Sequence, residues 1–320
     1  MRHVAHQAGS EMENARLTRS LRALCKPALQ PFLDADTPVQ EARHVIVGAP
    51  LDQTMSHRRG ARFAPTAIRQ ASLHMETYSL RTGLDWRDVE VADAGDVEIP
   101  AGVEGAVGNI EEAVRRIREA GRVPALLGGE HTVTLGALRA LRPDLVVDLD
   151  AHLDLRRRLL GLELSHGTFM RRGLEELGHR VVVLGCRALS EEEWEFAMAN
   201  PDRVTAVTAA ELRREGVKSG VEAVRRGLAD ASTAYLSIDM DVLDPASAPA
   251  VGNPSPEGIG VTMLLDLVGG IVDARFVGFD LTEVTPHYDS GLTAAQAAYI
   301  FLETIYSFEA ARRASGAQQP

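Results

Sequence analysis

Three short segments of the sequence concentrate carboxylate and imidazole side chains, and each follows an apolar run. They are Gly-Gly-Glu-His-Thr at 128–132, Asp-Ala-His-Leu-Asp at 150–154 and Asp-Met-Asp at 239–241. In an extended chain, residues two positions apart project from the same side, so the acidic and imidazole residues of the second and third segments face one way. Such groups are costly to bury unless they bind a cation or are otherwise paired. The segments therefore indicate a metal site, against the alternative of a solvated loop with helix-capping aspartates.

Together these segments offer four carboxylates and two imidazoles as candidate metal ligands. The candidates are His131, Asp150, His152, Asp154, Asp239 and Asp241. The set contains no sulfur, suits two divalent ions bridged by carboxylates and favours Mn²⁺, while Zn, Ni, Co and Fe stay open. Two such ions polarise a substrate and form hydroxide from bound water at neutral pH. Asp148 extends the alternation by one step, and we interpret it as a neighbour or salt-bridge partner of the ligands.

Two further residues would complete a hydrolytic site. His166, in the segment Ser-His-Gly-Thr at 165–168, stands twelve residues after Asp154. An imidazole there is able to pass a proton to a leaving group near pH 7; the alternative is a histidine at a helix start beside a capping serine. Glu283 follows another apolar run. A carboxylate at that point is able to hold a planar cation through paired charge-assisted hydrogen bonds.

The elements that must position these residues alternate along the chain from Arg43 onward. The predicted strands are His44–Val47, Val89–Ala92, Pro124–Leu127, Asp144–Leu149, Arg180–Leu184, Val204–Val207, Ala234–Ile238 and Arg275–Phe279. The predicted helices are Ala106–Ala120, Val133–Leu141, Glu191–Asn200, Val221–Ala229, Met263–Val272 and Thr293–Ala311. Continuous apolar strands separated by helices predict an α/β fold with a parallel sheet covered on both faces. Ligands bind beyond the carboxyl ends of such strands, where the candidate residues stand.

Composition excludes several other classes of protein. The chain has 320 residues, 34 Lys+Arg and 45 Asp+Glu, and a net charge of −11. This acidic balance argues against nucleic-acid and membrane partners, and no apolar run approaches the roughly 20 residues that span a bilayer. Two cysteines make no disulfide framework, and no apolar stretch of a secretory signal follows the N-terminus. We therefore expect a cytoplasmic location.

The first forty residues differ from the rest of the chain. A short helix is predicted over Asn14–Cys25, and Pro27 and Pro31 end it because proline disrupts a helix interior. We divide the chain into an N-terminal extension at residues 1–40, a catalytic domain at 41–312 and a C-terminal tail at 313–320.

The motifs at 128–131, 150–154, 237–241 and around Glu283 together resemble the ureohydrolase family, the arginase and agmatinase group. Arg58–Arg69 and Ala94–Val97 are similar to other family segments, so that the resemblance extends over about Arg43 to Ala311. It implies a three-layer α/β/α fold with a parallel, about eight-stranded sheet. It also implies two Mn²⁺ ions per subunit and a homo-oligomer, trimeric or hexameric.

The resemblance further implies a role for each candidate residue. One ion would be held by His131, Asp150, Asp154 and Asp239, and the other by His152, Asp150, Asp239 and Asp241. Asp154 would also orient the attacking hydroxide, Glu283 would bind the guanidinium of the substrate and His166 would transfer protons. The products would be urea and an amine.

Two features of the sequence bear on the identity of the substrate. The Ser-His-Gly-Thr and Asp-Ala-His-Leu-Asp-Leu-Arg segments look most like the agmatinase branch, which implies conversion of agmatine to putrescine and urea. Arg156-Arg157-Arg158 departs from the acidic or small polar residues expected there. These arginines would receive a carboxylate, which favours 4-guanidinobutanoate, 3-guanidinopropanoate or arginine, or they form a solvated turn or a subunit contact. Two functions of a different kind also stay open: a deacetylase-like metal amidohydrolase with one metal, and a non-catalytic metal-binding scaffold.

One segment departs from the family pattern beside the metal ligands. Where the family usually has Gly-Thr-Gly-Thr-Pro, this chain has Ala-Val-Gly-Asn-Pro at 250–254. We therefore expect the geometry of this turn to differ.

Overall fold

The computed structural model describes residues 17–316, which contain a single sheet of nine strands. The strands are β1 Cys25–Lys26, β2 His44–Ala49, β3 Val91–Val97, β4 Val123–Gly128, β5 Leu145–Leu149, β6 Arg180–Cys186, β7 Val204–Thr208, β8 Ala234–Asp239 and β9 Phe276–Thr282. Their order across the sheet is β1-β3-β2-β4-β9-β8-β5-β6-β7. β1 is antiparallel to β3, and all the other pairings are parallel.

Helices cover both faces of this sheet. They are α1 (residues 17–22 of it are described), α2 Ala64–Ser72, α3 Val103–Glu119, α4 Val133–Leu141, α5 Phe169–Leu177, α6 Glu191–Ala199, α7 Ala209–Glu215, α8 Val217–Leu228, α9 Val261–Ile271 and α10 Leu292–Ala314. Buried side chains of α2, α8, α9 and α10 form one apolar core with the sheet. Those of α1, α3, α4 and α5 form a second core on the other face. The predicted three-layer α/β/α fold is confirmed.

The N-terminal region is more closely attached to the sheet than its sequence indicates. Leu17 and Leu21 are buried in the second core, and Cys25 pairs with Val97 in the antiparallel strand β1. The predicted helix over Asn14–Cys25 therefore ends early, because its last residue joins the sheet. Residues 14–16 of that prediction lie outside the described residues. The ninth strand adds an antiparallel edge to the eight parallel strands that we predicted.

Three helices, α2, α5 and α7, are absent from the helices predicted from the apolar pattern. Gly173 in the middle of α5 weakens a helical pattern. The structure shows why it is there: a Cβ atom at Gly173 would lie 2.8 Å from the Cε1 atom of the buried His179. Packing against the ring thus requires a residue with no side chain.

The carboxyl ends of β4, β9, β8 and β5 lie side by side in the sheet. Glu283 directly follows β9, Asp239 is the last residue of β8, and Asp150 directly follows β5. β4 leads to His131 through Gly129, where a Cβ atom would lie 2.0 Å from the backbone oxygen of Leu51, so that only glycine allows this close approach. The sheet order therefore gathers residues that are far apart in the sequence. Within residues 17–316, none of the helices has the length and apolar character needed to cross a membrane.

Candidate metal centre and active site

His131 lies at the centre of a first group of candidate ligands. Its Nδ1 atom is 3.1 Å from Asp239 Oδ2, 3.3 Å from Asp154 Oδ2 and 3.4 Å from Asp150 Oδ2. The other ring nitrogen, Nε2, lies 2.8 Å from the hydroxyl of Ser237. Because Nε2 is hydrogen-bonded to this hydroxyl, Nδ1 is left to face the carboxylates. A second hydrogen bond of this kind is what fixes the tautomer of a metal-binding histidine.

A second group forms around His152. Its Nδ1 atom is 3.1 Å from Asp241 Oδ2 and 3.4 Å from Asp150 Oδ1. Donor atoms of His131, Asp150 and Asp239 lie within 4.8 Å of one another, as do those of Asp150, His152 and Asp241. Asp150 therefore belongs to both groups. Asp239 belongs to the first alone, and its Oδ1 atom accepts the N–H of Asp241 at 2.7 Å.

Two of the predicted site residues have a left-handed backbone. The φ angle is 50° at Asp154 and 67° at Glu283, a region that residues other than glycine seldom adopt. Backbone hydrogen bonds hold both: the carbonyl of Asp154 accepts from Arg171 N at 3.2 Å, and Glu283 N donates to the carbonyl of Gly129 at 2.8 Å. Strained positions of this kind cluster at functional sites.

The buried carboxylates oppose one another's ionisation. Burial and the adjacent charge of Asp150 raise the pKa of Asp154 to about 7. Burial and the charge of Asp241 raise the pKa of Asp239 well above its usual value. Burial acts in the same direction on Asp150, but the two neighbouring imidazoles outweigh it and hold the pKa of that carboxyl well below its usual range. A divalent cation would allow these carboxylates to be ionised together.

The atoms of this cluster fit a divalent metal ion. His131 Nδ1 and Asp150 Oδ2 are buried, and neither makes a hydrogen bond within the described part of the chain. Buried polar atoms nearly always have a hydrogen-bond partner, so atoms without one that converge on one point are arranged for an ion. Carboxylate oxygens and imidazole nitrogens without a thiolate suit Mn²⁺ and its neighbours in the first transition series.

Glu283 and His166 lie beside the cluster. Glu283 Oε1 accepts the N–H of His131 at 2.8 Å and lies 3.8 Å from His166 Nδ1. Its Oε2 atom is buried and makes no hydrogen bond to the residues described. Burial raises the pKa of Glu283 well above its usual value, and burial together with the charge of His152 lowers the pKa of His166 to about 4. His166 is therefore neutral at pH 7, and Glu283 keeps one carboxylate oxygen for a ligand.

A hydroxyl network behind His131 was not foreseen. Ser237 Oγ donates to Asp280 Oδ1 at 2.7 Å, while Thr134 Oγ1 and the hydroxyl of Tyr235 each donate to Asp280 Oδ2 at 2.8 Å. Ser237 stands two residues before the predicted ligand at 239, on the same side of its strand. That spacing could have identified Ser237 as a residue of the site. Nothing in the sequence distinguishes Asp280 from an aspartate outside the site.

Asp148 lies on the opposite side of the His131 ring from the ligands. Its Oδ1 atom is 3.6 Å from His131 Nε2. The carboxyl is fully buried, and burial raises its pKa well above the usual value. Asp148 thus lies next to the candidate ligand His131, on the side of the ring away from the other candidates.

Arg187, which sequence reasoning also missed, holds the backbone beneath the second group. It follows β6 directly, and its guanidinium donates to six backbone carbonyls. These belong to Gly185, Asp241, Val242, Leu243, Ser255 and Pro256. The planar fork of donors in arginine suits several acceptors at once. Arg187 thus ties the turn that carries Asp241 to the loop that contains Ser255.

The arginine triplet is mostly engaged in ion pairs. Arg156 Nε lies 3.3 Å from Glu193 Oε2, and Arg158 pairs with Glu163. Arg157 is exposed, and within residues 17–316 it makes no ion pair. The first pair therefore joins the loop to α6, and the second lies within the loop.

The chain is similar to known proteins over most of its length. The model of the Arginase family matches residues 42–306. Agmatinase of Bacillus subtilis is 37% identical over 278 residues, which cover 84% of this chain and 93% of that protein. Guanidinobutyrase of Pseudomonas aeruginosa is 33% identical over 285 residues, 86% of this chain and 89% of that protein. The crystal structure of agmatine ureohydrolase of Thermoplasma volcanium superposes with a TM-score of 0.82 at 36% identity, covering 93% of this chain and 99% of that one.

The fold and the site thus define a hydrolase of the α/β class with a candidate metal centre at the carboxyl ends of parallel strands. The family match spans well over half of the chain, and the relatives are covered almost completely. The chain belongs to the arginase family. The resemblance to the arginase and agmatinase group that we inferred from the motifs is confirmed.

Proposed function

We propose that this chain is an amidinohydrolase that uses two Mn²⁺ ions per subunit to convert a guanidino compound to urea and an amine. The observation that carries the proposal is the sharing of Asp150 between two carboxylate–imidazole groups, next to an unpaired carboxylate oxygen of Glu283. Two ions joined by a carboxylate are a common arrangement in enzymes that activate water at neutral pH.

The six ligands form two overlapping sets in this proposal. The first ion would be held by His131, Asp150, Asp154 and Asp239, and the second by His152, Asp150, Asp239 and Asp241. The pair of ions, when bound, lowers the pKa of water and neutralises charge that develops on the substrate. The ion-free arrangement supports Asp150 as a shared ligand more directly than Asp239, whose Oδ1 atom is hydrogen-bonded to Asp241 N.

Three side chains would act on the substrate and on water. Glu283 would bind the guanidinium through Oε2, because a carboxylate forms strong charge-assisted hydrogen bonds with this group. Asp154 would accept a hydrogen bond from the attacking water and fix its direction. His166 is neutral near pH 7, and its buried Nε2 atom makes no hydrogen bond to the described residues. His166 would take up a proton at Nε2 and deliver it to the leaving amine.

Agmatine is the substrate that we propose, with putrescine and urea as products. The similarity to an agmatinase and to an agmatine ureohydrolase of known structure supports this choice. A guanidino acid such as 4-guanidinobutanoate is the second candidate, because a guanidinobutyrase is 33% identical and the loop carries three arginines. The pairing of Arg156 and Arg158 with glutamates leaves Arg157 as the residue of the triplet for binding a carboxylate.

The test is urea release by metal-stripped protein reloaded with Mn²⁺, measured with agmatine, 4-guanidinobutanoate, 3-guanidinopropanoate and arginine. A preference for agmatine that persists in Arg157→Ala supports the first candidate. A preference for a carboxylate-bearing substrate that is lost in Arg157→Ala supports the second. Metal analysis should find two ions per chain, and Asp154→Ala should abolish turnover while the protein stays folded. No urea from any substrate, with metal bound, would refute the proposed function.

We further propose that the catalytic domain comprises residues 41–312, between an extension at 1–40 and a tail at 313–320, and that the chains form trimers or hexamers in the cytoplasm. The family match at 42–306 supports the domain boundaries, although Leu17 and Leu21 of the extension pack into the core. Both cysteines are buried and unpaired, which suits a reducing compartment. Light scattering coupled to size-exclusion chromatography tests the oligomeric state.

A further inference from the structure

Thr54 lies in the loop after β2 and joins two parts of the site that stand 76 and 112 residues further along the chain. It is buried, and its hydroxyl donates to Glu130 Oε1 at 2.5 Å. Thr54 Oγ1 also accepts the backbone N–H of His166 at 3.0 Å. Thr54 is therefore the link between the Gly-Gly-Glu-His turn and the segment that carries His166.

Glu130 determines the direction of the Thr54 hydroxyl. Its carboxylate is fully buried, and it accepts from Thr54 N at 2.7 Å and from Thr132 Oγ1 at 2.6 Å as well as from the Thr54 hydroxyl. A hydroxyl has one proton to donate. Because Glu130 takes this proton, the lone pairs of Thr54 Oγ1 are left to accept the N–H of His166.

The residue next to Glu130 is the candidate ligand His131, so this chain of hydrogen bonds also fixes the His166 segment relative to the metal centre. Backbone hydrogen bonds strengthen the connection on the side of β4, since Glu130 N donates to the carbonyl of Leu51 at 2.7 Å. On the side of His166, the turn is closed by Thr168, whose Oγ1 accepts from Ser165 N at 2.8 Å. Hydrogen bonds therefore hold both the Glu130 turn and the His166 segment that Thr54 connects.

We propose that Thr54 and Glu130 are positioning residues that hold the backbone of His166 in register with the metal ligands. This inference rests on the proposed function, in which His166 transfers a proton. Among the described residues, Thr54 makes no hydrogen bond to a candidate ligand or to Glu283; its hydroxyl bonds to Glu130 and to the backbone of His166 and lies 3.4 Å from the Thr132 hydroxyl. We therefore expect its effect on turnover to pass through His166. A displacement of about 1 Å in a reacting group is enough to lower a rate by as much as a hundredfold, so that a backbone hydrogen bond at this point affects turnover.

The test compares three variants. Thr54→Val keeps the shape of the side chain and removes the hydroxyl; we expect kcat for urea release to fall about tenfold, with KM and the bound Mn²⁺ changed by less than about threefold. Thr54→Ser keeps the hydroxyl and should stay within about threefold of the wild type. Thr132→Val is the matched control, because it removes another hydrogen bond to Glu130 and the 3.4 Å contact with the Thr54 hydroxyl, but leaves the hydrogen bond from His166 N to Thr54 in place. An equal loss of kcat in Thr132→Val and Thr54→Val would contradict the proposal.

A double-mutant cycle then shows whether Thr54 acts through His166. In a His166→Asn background, Thr54→Val should lower kcat by less than about twofold, since the imidazole to be positioned is gone. The same tenfold loss in both backgrounds would overturn the proposal, even if the enzyme releases urea as proposed.

Hydrogen exchange gives a readout that does not depend on activity. The amide of His166 should exchange at least about tenfold faster in Thr54→Val than in the wild type and in Thr132→Val. Unchanged exchange in Thr54→Val would refute the positioning role whether or not the protein releases urea. Failure of the wild type to release urea, with faster exchange in the variant, would instead refute the proposed function and leave the hydrogen bond established.

Discussion

Replacing Ser237 by alanine tests whether the hydroxyl behind His131 prepares the metal centre. Ser237 Oγ lies 2.8 Å from His131 Nε2 and donates to Asp280 at 2.7 Å. His131 is fully buried, so its Nε2–H would have no water to replace the lost partner, and its ring would be less well fixed. Loss of such an outer partner of a ligand typically lowers metal affinity about 10–100-fold, which corresponds to about 1.4–2.7 kcal/mol.

We therefore expect Ser237→Ala to raise the Kd for Mn²⁺ by about 10–100-fold, measured by competition with a fluorescent chelator on metal-stripped protein. Thr134→Val is the matched control, since Thr134 also donates to Asp280, at 2.8 Å, and its hydroxyl lies 3.4 Å from that of Ser237, but it makes no hydrogen bond to Nε2. It should bind Mn²⁺ as the wild type does. Equal affinity in Ser237→Ala and the wild type would refute the reasoning, and an equal loss in both variants would place the effect at Asp280 instead of His131.

Three further predictions concern the metal, acid stability and the guanidinium pocket. Chelation should abolish urea release and lower the Tm, because the buried carboxylates then repel one another, and Mn²⁺ should restore both; a Tm that chelator and Mn²⁺ leave unchanged would argue against a metal centre. Burial lowers the pKa of His179 to about 4 from 6.5. The folded state therefore resists its protonation, and stability should fall by about 3 kcal/mol as the pH drops from 6.5 to 4; urea denaturation of His179→Leu should show a shallower decline, and parallel declines would contradict this. In Gly252→Ala, the new Cβ would lie 2.5 Å from Glu283 Oε2, so KM should rise about tenfold or more, and an unchanged KM would exclude Oε2 from substrate binding.

The candidate ligands were predictable because two regularities act together. Side chains two apart on an extended chain share a side, and parallel strands end at one edge of the sheet. The first rule identified Asp150 and Asp154 as candidates, although the chain beyond β5 is not extended and Asp154 has a φ angle of 50°. The second rule brings them to His131, although the two strands involved, β4 and β5, are separated by β9 and β8 in the sheet.

The limits of pattern reading are clear at β3. We predicted a strand over Val89–Ala92, whereas the strand runs over Val91–Val97. The apolar pattern stops at Asp93, which sequence reasoning treats as a loop residue. In the structure the buried guanidinium of Arg69 pairs with Asp93 at 2.8 Å and also contacts Asp96. A cation from α2, more than twenty residues earlier, neutralises these carboxylates and lets the strand continue, and no local pattern contains that information.

The same consideration explains why sequence alone does not separate metal ligands from other buried acids. Asp280 and Glu130 each receive three hydrogen bonds from neighbouring donors, which offset part of the cost of burial, although burial still raises the pKa of both carboxyls. Asp150 receives one through Oδ1, from His152 N, and none through Oδ2. A buried carboxylate with unfilled acceptors has oxygen atoms free to bind a cation, whereas one whose acceptors are occupied by hydroxyls and N–H groups does not. The donors come from distant strands and loops, so only the folded chain decides which acids of the sequence are left for the metal.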